Sequence, residues 1–291
     1  MFNVVKLKFF FLVLIALVCA SEANSKAEPV VLHAIHEDCS SWEDPVNKNQ
    51  VNYCVISPEH DSSFHMSGHK TGKILYAFHG MGGSAKNLCD SFLSNIHEEE
   101  SLRNISHIVC PSFGPHWAIH KNGRKDTFER FHALMMHHYP DAAAQKPVLY
   151  GLSMGGFNVL KLSGSNSRDT LQFEKVVSAC PAIFSSKFYW MASFIALDGL
   201  FQPFDGPTAR SLMRKSPFFD DGIQYPELFL FLNQDDSVGK FKGIPGIYRG
   251  AIDFFKKMQE EGQGGHVQMK VLPGGHCDGI PLGKVLEYLG N

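Results

Sequence analysis

Apolar residues along this chain fall into short continuous runs, and longer amphipathic stretches separate them. The runs predict strands at Val30 to Ile35, Val51 to Ile56, Ile74 to Phe78, His107 to Cys110, Val148 to Leu152, Lys175 to Ala179, Leu228 to Leu232 and Val267 to Leu272. Several lack polar alternation, as expected where both faces of a parallel sheet are covered. Apolar positions at helical spacing predict helices at Ala85 to Ile96, Asp126 to His138, Gly156 to Leu162, Tyr248 to Glu261 and Leu282 to Leu289. Strand followed by helix, repeated, implies right-handed crossovers. The fold class is therefore α/β, with a mostly parallel, doubly wound sheet of about eight strands flanked by helices.

One interval departs from the rhythm. Between Ala179 and Leu228 the chain is rich in aromatic residues and methionine, among them Phe184, Tyr189, Trp190, Met191 and Phe201. This small insertion, at about 183–225, reads either as a cap offering an apolar surface to an acyl or aromatic group or as a segment packed against the domain. Trp117 and His116 follow the fourth strand, where they either line a pocket or pack the surface.

The amino terminus has the pattern of an export signal. Lys6 and Lys8 precede an apolar core from Phe9 to Val18, and small residues follow at Ala20, Ser21 and Ala23, allowing cleavage after Ala20 or Ala23. The core is shorter than the ~20 residues that span a bilayer. The expected organisation is a signal peptide at 1–23 and one domain at 24–291, secreted or periplasmic, with no membrane span after cleavage.

Loss of Cys19 leaves Cys39, Cys54, Cys89, Cys110, Cys180 and Cys277, an even set that suggests disulfides in an exported chain. Cys39 with Cys54 is the expected pair, since both lie in the N-terminal strand-and-turn region. No C-x-x-C pair occurs, and the chain's 15 histidines include no metal-binding spacing with a companion glutamate, so neither a metal nor a cofactor is expected. A net charge of −2 argues against a nucleic-acid partner or a polybasic membrane surface. The partner is expected to be a small molecule.

Candidate chemistry begins at Gly151-Leu152-Ser153-Met154-Gly155, between the apolar run Pro147 to Tyr150 and the helix-compatible run Gly156 to Leu160. Strand, sharp turn and helix in that order form a nucleophile elbow, in which glycines let strand and helix approach while the serine Oγ projects outward. A serine hydroxyl needs a base, and the base needs an acceptor that fixes its tautomer. Asp235 and Asp236 follow the strand Leu228 to Leu232, and His276 lies on the Gly-rich loop after Val267 to Leu272. Both loops leave the carboxyl edge of the sheet, where ligands bind in open α/β folds.

These residues, with His79-Gly80-Met81-Gly82-Gly83 after the third strand, resemble the α/β-hydrolase fold serine hydrolases, and in particular the secreted and periplasmic esterases of that fold. The resemblance implies Ser153 as nucleophile, His276 as general acid/base and Asp235 as the acid that orients it. Asp235 is preferred to Asp236 because family acid loops often place valine three residues later, at Val238. Backbone N–H groups of Met154 and Met81 would form the oxyanion hole. The implied activity is carboxylic-ester hydrolysis through an acyl-enzyme, on a small-molecule ester with an apolar or aromatic acyl group. Acyl transfer or peptide cleavage on the same triad, and a binding module without catalysis, are the alternatives.

Overall fold

In the computed structural model the described residues are 35–58, 72–96, 104–114, 124–164, 171–183, 223–238 and 246–291. Eight strands form one sheet: β1 (Ile35–Glu43), β2 (Gln50–Pro58), β3 (Lys73–Phe78), β4 (Ile105–Ser112), β5 (Val148–Leu152), β6 (Lys175–Ala179), β7 (Glu227–Asn233) and β8 (Val267–Leu272). Their spatial order is β1-β2-β4-β3-β5-β6-β7-β8. The β1-β2 and β2-β4 pairs are antiparallel, and every pair from β4 to β8 is parallel.

Among the described residues five α-helices lie between and after these strands: α1 (Ala85–Leu93), α2 (Arg124–His138), α3 (Met154–Ser163), α4 (Ile247–Glu260) and α5 (Leu282–Gly290). Side chains alternate across each strand, and the two faces have separate cores. On one face Ile74, Tyr76 and Phe78 of β3 and Leu228, Leu230 and Leu232 of β7 join Phe128 and Phe131 of α2, Val159 and Leu160 of α3, and Phe254 of α4. On the other, Leu75 and Ala77 of β3, Val148 and Tyr150 of β5 and Phe231 of β7 pack with Phe92 of α1 and Leu286 of α5. Covering on both faces is why the central strands read as unbroken apolar runs.

The first strand departs from expectation. Of Val30 to Ile35 only Ile35 is described, and it opens a strand that continues through the polar sequence His36-Glu37-Asp38-Cys39-Ser40-Ser41 to Glu43. An edge strand pairs on one side only, so polar side chains cost it little. It is tied to β2 by the expected Cys39–Cys54 disulfide, between residues directly opposite in the ladder. Asp44, fully buried just beyond β1, accepts hydrogen bonds from Arg130 Nε at 2.8 Å and Nη2 at 2.6 Å. This pairing holds its carboxyl below the usual range and fastens the edge to α2. The insertion at about 183–225 lies mostly outside the described residues. No helix among the described residues is long and apolar enough to cross a membrane.

Buried histidine gives the fold a pH dependence. The Tyr76 hydroxyl and His132 Nδ1 on α2 share a 2.8 Å hydrogen bond, and burial pulls the His132 pKa down from 6.5 to about 4. Between those values the unfolded chain binds the proton and the native chain does not. The stabilisation is complete above pH 6.5 and is lost as pH falls toward 4, to a total of about 2–3 kcal/mol. Burial shifts His79 in the same direction. Melting temperature should therefore fall between pH 7 and 4.5, and His132→Gln should flatten that fall by about 5 °C; an unchanged slope in the variant would show that His132 does not titrate differently on folding.

Candidate active site

Strand register aligns five carboxyl ends on one edge. Phe78 of β3 lies opposite Gly151 of β5, Leu152 opposite Ala179 of β6, Ala179 opposite Phe231 of β7, and Asn233 opposite Leu272 of β8. The residues that follow these ends are His79–Gly83, Ser153, Cys180, Gln234–Asp236 and Pro273–His276, so one sheet edge collects Met81, Ser153, Asp235, Asp236 and His276.

Ser153 occupies the turn between β5 and α3 with φ 55° and ψ −111°, a conformation that non-glycine residues rarely adopt. Its N–H donates to the Ala179 carbonyl at 2.8 Å, and its carbonyl accepts from Phe157 N–H at 3.0 Å and Ala182 N–H at 3.2 Å. Flanking glycines permit the crossing: a Cβ on Gly151 would overlap the Gly155 carbonyl, and one on Gly155 would overlap the Phe78 carbonyl. The helix begins at Met154, two residues before the expected start, because these glycines are needed for close approach rather than as helix breakers.

Three side chains meet at this edge. His276 Nδ1 lies 2.6 Å from Asp236 Oδ2, and His276 Nε2 lies 2.8 Å from Ser153 Oγ. A carboxylate can only accept, so Nδ1–H is the donor; Nε2 is then the acceptor and the serine hydroxyl donates to it. Asp236 is almost completely buried, whereas a quarter of the His276 side chain remains exposed. Chemically, a network with its acceptor buried and its serine only partly buried can accept a proton from Oγ.

The acid that reaches His276 is thus Asp236, not the expected Asp235. Gln234 and Asp235 form the turn after β7, and Asp235 is exposed there, with its N–H donating to the Gly274 carbonyl at 3.1 Å. Asp236 N–H donates to the Asn233 carbonyl at 3.3 Å, which turns its side chain back to the sheet edge. Its second oxygen, Oδ1, accepts the Val238 N–H at 3.0 Å, an Asx turn that fixes the carboxylate. The valine spacing that points to Asp235 does not identify the aspartate on His276: Val238 lies two residues after Asp236.

Two other residues missed in the sequence hold this region. Asn233, the buried last residue of β7, donates from Nδ2 to the carbonyls of Pro273 and Asp278 at 3.2 and 2.8 Å, clasping the histidine loop. Ser112, at the end of β4, lies 2.8 Å from His79 Nε2, and His79 Nδ1 lies 2.7 Å from the Gly80 carbonyl. A carbonyl only accepts, so His79 Nδ1–H donates and the Ser112 hydroxyl donates to Nε2. The loop so braced runs against Ser153, since a Cβ on Gly80 would come within 3.4 Å of Ser153 Cβ. Met81 sits on this loop, half exposed. Met154, as the first residue of α3, has an N–H without an intrahelical acceptor. His116, Trp117 and the aromatic insertion lie outside the described residues.

No protein-family model and no curated protein matches the sequence. Solved structures do match the fold. An S-formylglutathione hydrolase from Staphylococcus aureus aligns at TM-score 0.65 and 15% identity over 89% of this chain and 100% of that one. A ferulic acid esterase aligns at TM-score 0.61 and 18% identity over 89% and 98%. A carboxyl esterase from the mycorrhizal fungus Tuber melanosporum aligns at 0.60 and 15% over 91% and 90%. The class defined by the sheet order and these likenesses is the α/β-hydrolase fold.

The elbow glycines provide a test by substitution. Gly155→Ala should destabilise the protein by about 1–3 kcal/mol or more through overpacking against β3, whereas Gly265→Ala, where a Cβ meets nothing within 4 Å, should change stability by less than about 0.5 kcal/mol. Equal denaturation midpoints for the two variants would contradict the close approach of α3 to β3.

Proposed function

We propose that the protein is a serine hydrolase acting on carboxylic esters through an acyl-enzyme. The observation that carries this reading is the continuous chain Ser153 Oγ, His276 and Asp236, with separations of 2.8 and 2.6 Å. Ser153 attacks the ester carbonyl while His276 Nε2 takes its proton; His276 then returns that proton to the leaving alcohol. Asp236 holds Nδ1–H and stabilises the imidazolium that forms. Water repeats the sequence on the acyl-enzyme and frees the acid.

Charge that develops on the carbonyl oxygen needs donors already in place. We assign this role to the N–H groups of Met154, at the positive end of α3, and Met81, on the loop against Ser153. The similar structures named as hydrolases and esterases support ester chemistry on this fold. An apolar or aromatic acyl group as substrate rests on the composition of the insertion. Export, with residues 1–23 removed as a signal peptide, is supported by that segment's sequence pattern and by two disulfides.

Hydrolysis of a nitrophenyl ester series tests the reading. Ser153→Ala should abolish turnover, and Asp236→Asn should lower kcat about 10⁴-fold by favouring the wrong histidine tautomer. Asp235→Asn should stay within about twofold of the parent, as a surface substitution. The reverse ranking of the two aspartates would overturn the assignment.

A further inference from the structure

A second disulfide, Cys180–Cys277, joins positions 97 residues apart with Cα atoms 5.5 Å from each other. Cys277 directly follows His276. Cys180 directly follows Ala179, whose carbonyl accepts the Ser153 N–H, and Cys180 N–H itself donates to Phe231 of β7 at 2.7 Å. The bond therefore links the backbone that supports the nucleophile to the residue beside the base. Both of its halves have left-handed backbone, φ 41° at Cys180 and 60° at Cys277; among the described residues the only other non-glycine positions with positive φ are Lys48 and Ser153. Such conformations persist only where their surroundings enforce them.

Apart from this bond and the His276–Ser153 hydrogen bond, the polar ties of the histidine loop run to one side. Asn233 holds Pro273 and Asp278, Asp235 N–H holds Gly274, and Gly275 N–H donates to Asp278 Oδ2 at 2.8 Å. All of these ties are to the end of β7 or within the loop. Among the described residues the only covalent tie to the β6 side, toward Ser153, is the bond through Cys277.

We infer that Cys180–Cys277 is a positioning clamp: the disulfide sets the distance from His276 Nε2 to Ser153 Oγ, so that opening it lowers turnover without removing the binding site. The inference rests on the hydrolase reading above. Cys277 is only partly buried and is the sulfur a reductant can reach. A dithiol reductant transfers two electrons and its two thiol protons to the bond; it becomes a cyclic disulfide and leaves Cys180 and Cys277 as thiols. His276 then loses its lateral restraint. Displacement of a catalytic group by about 1 Å is enough to cost about 100-fold.

The experiment uses the folded protein in a Cys39→Ala/Cys54→Ala background, so that Cys180–Cys277 is the bond being opened. A chelator is present, because the Cys180, Cys277 and His276 ligand atoms lie within 4.8 Å of one another and free thiols there would gather a soft metal. Opening of the bond is verified by alkylation and peptide mass. The expected result is a 10- to 100-fold fall in kcat with KM within about twofold, a melting transition that is lowered but still lies above the assay temperature, and recovery of kcat on reoxidation. The single variant Cys180→Ala should reproduce the reduced form. Unchanged kcat with the bond open would overturn the clamp, and so would loss of activity that tracks loss of the melting transition, which would make the bond a support of the fold. Absence of turnover in the oxidised parent would instead overturn the hydrolase reading.

Discussion

Everything at the site depends on a backbone constraint, the turn that holds Ser153 at φ 55° between β5 and α3. A conformation of this kind costs about 1–3 kcal/mol and must be enforced from outside. The enforcement is layered. Hydrogen bonds tie Ser153 to Ala179, Ala182 and Phe157, and glycines at 151 and 155 let β5, α3 and β3 cross where any side chain would collide. The same packing directs Oγ to the sheet edge and aims the amino end of α3 at the space in front of it. Strain and function are here one feature.

Geometry at that edge is then a problem of bringing together loops remote in sequence. Ser153 and His276 are 123 positions apart and Asp236 and His276 are 40 apart, yet the separations needed are those of hydrogen bonds. Parallel strands in adjacent register solve most of it, because β5 and β6 end opposite each other and β7 and β8 end opposite each other two residues farther along the same edge. The remaining adjustment falls to short-range devices: the Asx turn at Asp236, the Asn233 clasp on the histidine loop, and the disulfide beside His276. The Asx turn uses Asp236 Oδ1 and leaves Oδ2 to His276, while the clasp and the disulfide hold the loop that carries the histidine.

Much of this was legible in the sequence, for a physical reason. Strands β5, β6 and β8 match their expected bounds, and for β5 and β6 the reason is that strands covered on both faces are largely apolar and bounded by turn residues. The elbow was legible because its glycines are a steric necessity. The edge strand β1 was not, since one-sided pairing places little demand on side chains. The choice between Asp235 and Asp236 turned on two neighbouring residues of identical chemistry, separated only by the path of a tight turn. The partner of Cys277 was hidden by a separation of 97 residues, which spacing cannot resolve. Cys89 and Cys110, expected to belong to an even set of paired cysteines, are buried free thiols.

The central claim is that Ser153 is a nucleophile activated by His276. The most direct measurement is the mass of the intact protein after exposure to a fluorophosphonate, with the adduct located by peptide mapping. The account predicts one phosphonyl group per chain, on Ser153, and none after denaturation before exposure. A protein that remains unmodified, or an adduct on any other residue, would contradict it.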